Sequence, residues 1–129
     1  MMTVRNLVFV ASLFMLSCIN AFAAERFTYE PHAFQAALDA GKPILVHVTA
    51  PWCPECKVQK PIVAALAERP EFKDLTIFDV DFDTQKDALH QLHVQKQSTL
   101  IVYKGKAEVG RAVGITRREA IEAVMRKAL

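Results

Sequence analysis

Apolar positions along residues 25–129 change period several times, and each change predicts an element. Glu30-Pro31-His32 opens a first helix, with Phe34, Ala37 and Leu38 at helical spacing and Gly41 as its stop. Residues 44–49, ILVHVT, form a short run rich in β-branched residues and apolar on both faces, which reads as a central strand of a covered sheet. Val58, Ile62, Val63, Leu66 and Ala67 then return to helical intervals. A second buried strand spans 75–81, followed by a short helix over 84–91 and a third strand over 99–103. Lys104-Gly105-Lys106 reads as a hairpin turn into a strand over 108–113. Thr116 and Glu119 have the spacing of a capping box for a last helix, whose Ile121, Val124 and Met125 make an apolar stripe.

The predicted order is helix, strand, helix, strand, helix, strand, strand, helix. Strands separated by helices favour parallel pairing, and the closing hairpin adds an antiparallel edge. The expected fold class is therefore α/β, with a mixed sheet of about four to five strands and helices on both faces. No internal repeat or Pro/Gly/Ser-rich linker divides the sequence, so residues 25–129 read as one domain.

Residues 1–24 have a different composition. Arg5 supplies a positive start, 7–19 is an apolar run, and Ala21-Phe22-Ala23 matches a secretory cleavage signal. The expectation is an exported, periplasmic or secreted protein whose signal peptide is residues 1–24. The run is shorter than the roughly 20 apolar residues of a membrane-spanning helix. An uncleaved anchor and lipidation at Cys18, within a weak lipoprotein-like Leu16-Ser17-Cys18, are the alternatives. A formal net charge of +2, with no run of Lys and Arg, leaves no electrostatic footprint for nucleic acid.

Removal of the signal leaves two cysteines, Cys53 and Cys56, in TAPWCPECK. A C-x-x-C pair can serve a zinc site, a structural disulfide or a redox dithiol. Structural zinc usually takes four protein ligands, and His32, His47, His90 and His93 offer no second pair at an obvious spacing. A disulfide closing so short a loop removes little entropy from the unfolded chain. A redox dithiol needs an exposed, acidic cysteine and a second one placed to attack the resulting mixed disulfide. The junction between strand and helix provides this, because free N–H groups and the helix dipole stabilise a thiolate at Cys53 while Cys56 lies one turn further in. Trp52, Pro51 and Pro54 would cover and stiffen the loop, although Trp52 reads equally well as a core aromatic.

The chain resembles the thioredoxin family, and specifically the exported thioredoxin-like proteins of bacteria. The likeness runs through ILVHVTA, WCPEC with Lys57, Pro61, LTIFDVD with Asp81, STLIVYKG and the closing helix. It implies a thioredoxin fold and a thiol-disulfide oxidoreductase with no organic cofactor. Cys53 would be the attacking thiol, Cys56 the resolving thiol, and Pro61 the site of a helix kink. Trp52, Pro54, Gln97, Ser98 and Thr99 would form the substrate-binding surface, and no metal site is expected.

Two positions depart from that family. His47 stands where thioredoxins carry a buried Asp; as an imidazole titrating near neutral pH it is suited to taking a proton from Cys56, and the other reading is a hydrogen-bonded core histidine. Ser98 stands where they place a cis-proline. A cis bond before a non-proline residue costs about 2.5 to 4 kcal/mol, so the Gln97–Ser98 bond is either trans with a reshaped groove or cis and strained. In the family that proline also keeps metals off the thiolates, so its loss favours metal capture. A metal-handling module and a non-catalytic interaction domain are the rival functions.

Glu55 bears on the direction of electron flow. A carboxylate beside Cys53 opposes thiolate formation, which disfavours the dithiol form and makes the pair more reducing. The expectation is a reductase acting on protein disulfides or thiols, a monomer. The resemblance also implies recharging by a membrane-embedded thiol transporter of the cytochrome c biogenesis type.

Overall fold

A computed structural model describes residues 23–129. Arg5, the apolar run over 7–19 and Cys18, on which the expectation of a signal peptide rests, lie outside the described residues. No helix among the described residues is long and apolar enough to cross a membrane.

The elements are β1 (Glu25–Thr28), α1 (Pro31–Asp39), β2 (Ile44–Thr49), α2 (Pro54–Ala67), a single 3-10 turn (Pro70–Phe72), β3 (Thr76–Asp81), α3 (Lys86–Gln91), β4 (Thr99–Lys104), β5 (Ala107–Val113) and α4 (Arg118–Arg126). The sheet order is β1-β3-β2-β4-β5. β3 pairs parallel with both β1 and β2, whereas β4 pairs antiparallel with β2 and β5. This is the expected mixed sheet, with one strand that the apolar pattern did not predict. All four residues of β1, ERFT, are exposed, so this edge strand has no hydrophobic run to reveal it.

Side chains alternate across β2 and sort into two cores. Ile44, Val46 and Val48 face Phe34 and Ala37 of α1 and Ala88 and Leu89 of α3. Leu45 faces the opposite side, with Val63 and Leu66 of α2 and Ile121 and Met125 of α4. His47 follows Leu45 by two residues and so points to the α2 side.

The helix ends explain where each helix starts and stops. Glu30 caps α1 by accepting from the His32 and Ala33 N–H groups at 3.0 and 2.8 Å, and these bonds hold its carboxyl below the usual carboxylate range. α1 stops at Gly41, whose φ of +68° suits glycine, and Gly41 and Lys42 return N–H bonds to Leu38 and Ala37. Asp81 accepts from the Asp83 and Thr84 N–H groups and turns the chain before α3, which starts at Lys86 rather than Thr84. The capping box at Thr116 does not form. α4 begins one residue later than that motif requires, with Arg117 at the cap and no side-chain capping bond, so Thr116 lies outside the helix.

Candidate functional site

The dithiol sits where β2 ends and α2 begins. Cys53 is the N-cap of α2 with extended backbone (φ −81°, ψ 116°), and Pro54 follows at the first helical position, where a missing N–H costs nothing. Cys53 Sγ accepts from the Cys56 N–H at 3.1 Å. The two cysteines are joined as a disulfide with Cα atoms 5.3 Å apart. Pro61 lies inside α2, where it cannot donate to the Lys57 carbonyl.

Both cysteines are buried in this oxidised form, at 0% and 1% exposure, packed with Ala50 and Phe82. Cys53 therefore differs from the exposed cysteine expected of an attacking thiol; Phe82 is packed against the cluster it forms with Ala50 and Cys56. Trp52 is not a core residue. It is 54% exposed, its ring edge meets Phe82, and its Nε1–H donates to the Asp83 carboxylate at 3.0 and 3.1 Å. Glu55 is half-buried, and its Oε2 lies 3.8 Å from Cys53 Sγ.

Thr99 pairs with Val48, the last register step of β2 and β4, so Ser98 follows on beside the end of β2 from which the cysteine loop departs. No peptide bond among the described residues is cis, and Ser98 is left-handed at φ +57°. The Gln97–Ser98 bond is thus trans, and the irregularity has moved into the φ of Ser98.

His47 is fully buried, and its Nε2 lies 3.1 Å from Gln59 Oε1. Gln59 directs its Nε2 at two carbonyls, those of Ser98 (3.1 Å) and Ile115 (2.9 Å). Carbonyls only accept, so the amide nitrogen is the donor there and Oε1 must accept from a protonated His47 Nε2. His47 Nδ1 then holds the lone pair, facing Arg26 Nη2 at 3.5 Å. Arg26 itself grips Asp79 through two bonds of 2.5 and 2.6 Å. Burial lowers the His47 pKa to about 4, outweighing the Gln59 hydrogen bond and the Asp79 charge that raise it. The expected titration near neutral pH is displaced for that reason, and the Asp79 carboxylate 3.9 Å from Nδ1 is not the partner of a charged imidazole at neutral pH.

The thioredoxin family profile matches residues 25–127. The chain belongs to the thioredoxin family. Thioredoxin H-type of Fagopyrum esculentum is 35% identical over 91 residues, 70% of this chain and 77% of that protein. Thioredoxin of Alicyclobacillus acidocaldarius is 31% identical over 90 residues, 70% of this chain and 85% of that protein. Among solved structures, Trxlp from Edwardsiella tarda EIB202 superposes with a TM-score of 0.75 at 42% identity, covering 78% of this chain and 98% of that one. As a member of this family the protein is a thiol-disulfide oxidoreductase whose redox group is the Cys53–Cys56 pair.

The sequence singled out the cysteines, Trp52, Glu55, His47 and Ser98 but not their neighbours Gln59, Asp83, Phe82 and the Arg26–Asp79 pair. Gln59 left one signal. It lies four residues before Val63, and so interrupts the apolar stripe of α2 with a polar side chain on the buried face.

Proposed function

We propose that this protein is an exported, monomeric reductase of protein disulfides. The observation that carries the direction of electron flow is Glu55 Oε2 at 3.8 Å from Cys53 Sγ. Negative charge there opposes the thiolate that the Cys56 N–H and the helix dipole favour, destabilising the dithiol and so making it more reducing.

In the reduced protein, the Cys53 thiolate attacks one sulfur of a substrate disulfide. A mixed disulfide forms and the first substrate thiolate leaves. Cys56 then gives up its proton and attacks Cys53 Sγ, releasing the second substrate thiolate and forming the Cys53–Cys56 disulfide. Two electrons pass to the substrate. The Nε2–H bond of His47 to Gln59 supports a holding role for this residue more than proton acceptance from Cys56. Trp52, Pro54 and Gln97 form the face that meets the substrate, with Ser98 and Thr99 buried directly behind it. Residues 1–24 support export to the periplasm, where recharging requires electrons from a membrane-embedded thiol transporter of the cytochrome c biogenesis type.

The test is the reduction potential of the mature protein, equilibrated against glutathione buffers, beside Glu55→Gln. A value at or below about −270 mV, rising by about 10 to 20 mV in Glu55→Gln, supports the reductase. A value near the roughly −120 mV of a strong oxidant overturns it.

A further inference from the structure

Gln59 takes no part in the sulfur chemistry, yet it is a fully buried polar side chain with every N–H used. It stands on α2 one turn beyond Cys56. Its amide joins three segments: β2 through His47, the approach to β4 through the Ser98 carbonyl, and the approach to α4 through the Ile115 carbonyl. The Ser98 carbonyl also accepts from the Gly114 N–H at 3.0 Å, so both of its lone pairs are held. The Ser98 hydroxyl donates to the Gln97 carbonyl at 2.6 Å.

Left-handed backbone at a residue other than glycine persists only where the surroundings over-determine it. At Ser98 those surroundings are the bonds from Gln59 and Gly114 to its carbonyl. Proline holds backbone by a closed ring. Here a side-chain amide reaching out of the catalytic helix does it, and the same amide fixes the tautomer of His47.

We propose that Gln59 is a positioning residue that, through its bond to the Ser98 carbonyl, holds Ser98 in its left-handed backbone beside the dithiol and so sets recognition of protein disulfides. The substrate class rests on the reductase reading above. A small disulfide meets the sulfur atoms and little else, whereas a protein disulfide arrives on a segment that must also fit the partly exposed backbone at Gln97, whose course is set by the buried, left-handed Ser98. Loss of Gln59 therefore weakens protein substrates more than small ones.

The test compares the wild-type protein with Gln59→Met, which keeps the length and removes the amide. Gln59→Glu keeps an acceptor for His47 and removes the paired donors, and it decides the matter if Gln59→Met does not fold. Reduction of insulin and of a small aryl disulfide is measured for each. The expected result is a fall of about tenfold in kcat/KM for insulin, carried by KM, and a loss at least about fivefold smaller for the aryl disulfide. Equal losses on both substrates, or none, overturn the proposal. Nitrogen-15 NMR of the wild-type protein provides a readout independent of activity. It should show His47 protonated at Nε2 alone at neutral pH, and a Ser98 amide coupling typical of positive φ that changes in the variants. The opposite tautomer, or an unchanged Ser98 coupling in a folded variant, overturns it as well. A wild-type protein that reduces the aryl disulfide but not insulin would refute the protein-disulfide reading instead, leaving the positioning role to be judged by the NMR alone.

Discussion

His47 Nε2 and Gln59 Oε1 meet at 3.1 Å between the central strand and the catalytic helix, at a point where neither residue has exposed surface. A polar contact in that layer is stable only because each group is answered. Among the described residues no buried side-chain nitrogen or oxygen lacks a partner. Removing either partner leaves the other unsatisfied, at a cost of about 1 to 3 kcal/mol.

The buried imidazole makes folding stability depend on pH. With a folded pKa of about 4 against 6.5 for the free side chain, the unfolded chain binds more protons between those values, so stability rises with pH across that window. The His47 contribution is fully present above pH 6.5 and is lost as pH falls toward 4. Denaturant unfolding should show about 2 kcal/mol less stability at pH 5 than at pH 7. His47→Leu should lack that slope. A wild-type protein equally stable at both pH values would mean that folded His47 titrates where the free side chain does.

Arg26 and Asp79 act on the same imidazole with opposite sign. The carboxylate raises the His47 pKa and the guanidinium lowers it. Arg26→Gln should therefore raise it and Asp79→Asn lower it, as followed by NMR titration. Their own ion pair is one-third exposed on each side, so either change should alter stability by no more than about 1 kcal/mol. Shifts in the same direction would show that the pair acts through packing and not charge.

Much of this was readable from the sequence because burial leaves a periodic trace. The strand 44–49 is apolar on both faces and proves to be central, and the C-x-x-C falls at the strand-to-helix junction where the change of period places it. β1 was not readable, since an exposed edge strand is held by backbone bonds that any sequence can make. The network behind the cysteines was invisible for a different reason. Residues 26, 47, 59, 79 and 98 are scattered in sequence and meet only through the pairing of β1, β2, β3 and β4 and the packing of α2 against that sheet. The capping box at Thr116 misled because a four-residue motif fixes a helix start only when the chain enters the helix in that register.

The two candidate helix starts can be told apart by mutation. Glu30 accepts two N–H bonds at the start of α1, and Thr116 makes no capping bond to α4. Glu30→Ala should lower the thermal midpoint, while Thr116→Ala leaves it within about a degree, the ordinary range for a surface substitution away from such features. A larger loss at Thr116 would place the start of α4 earlier than Arg118.

Phe82 is placed to control access to the disulfide. It packs on the cluster of Ala50, Cys53 and Cys56, and it is itself held by the edge of Trp52 and by Lys86, whose Nζ lies 4.6 Å from the ring centre. Trp52 is in turn tied to Asp83. Rates of thiol-disulfide exchange depend on access to the attacked sulfur. Phe82→Ala should thus let dithiothreitol reduce the oxidised protein about tenfold faster, and Asp83→Ala, which only frees the tryptophan, about two- to threefold faster. The readout is the rate of disulfide opening at fixed pH, with Trp52, the only tryptophan, reporting its own mobility through fluorescence anisotropy. Rates unchanged by Phe82→Ala would show that exchange begins from a conformation in which this ring has already moved aside.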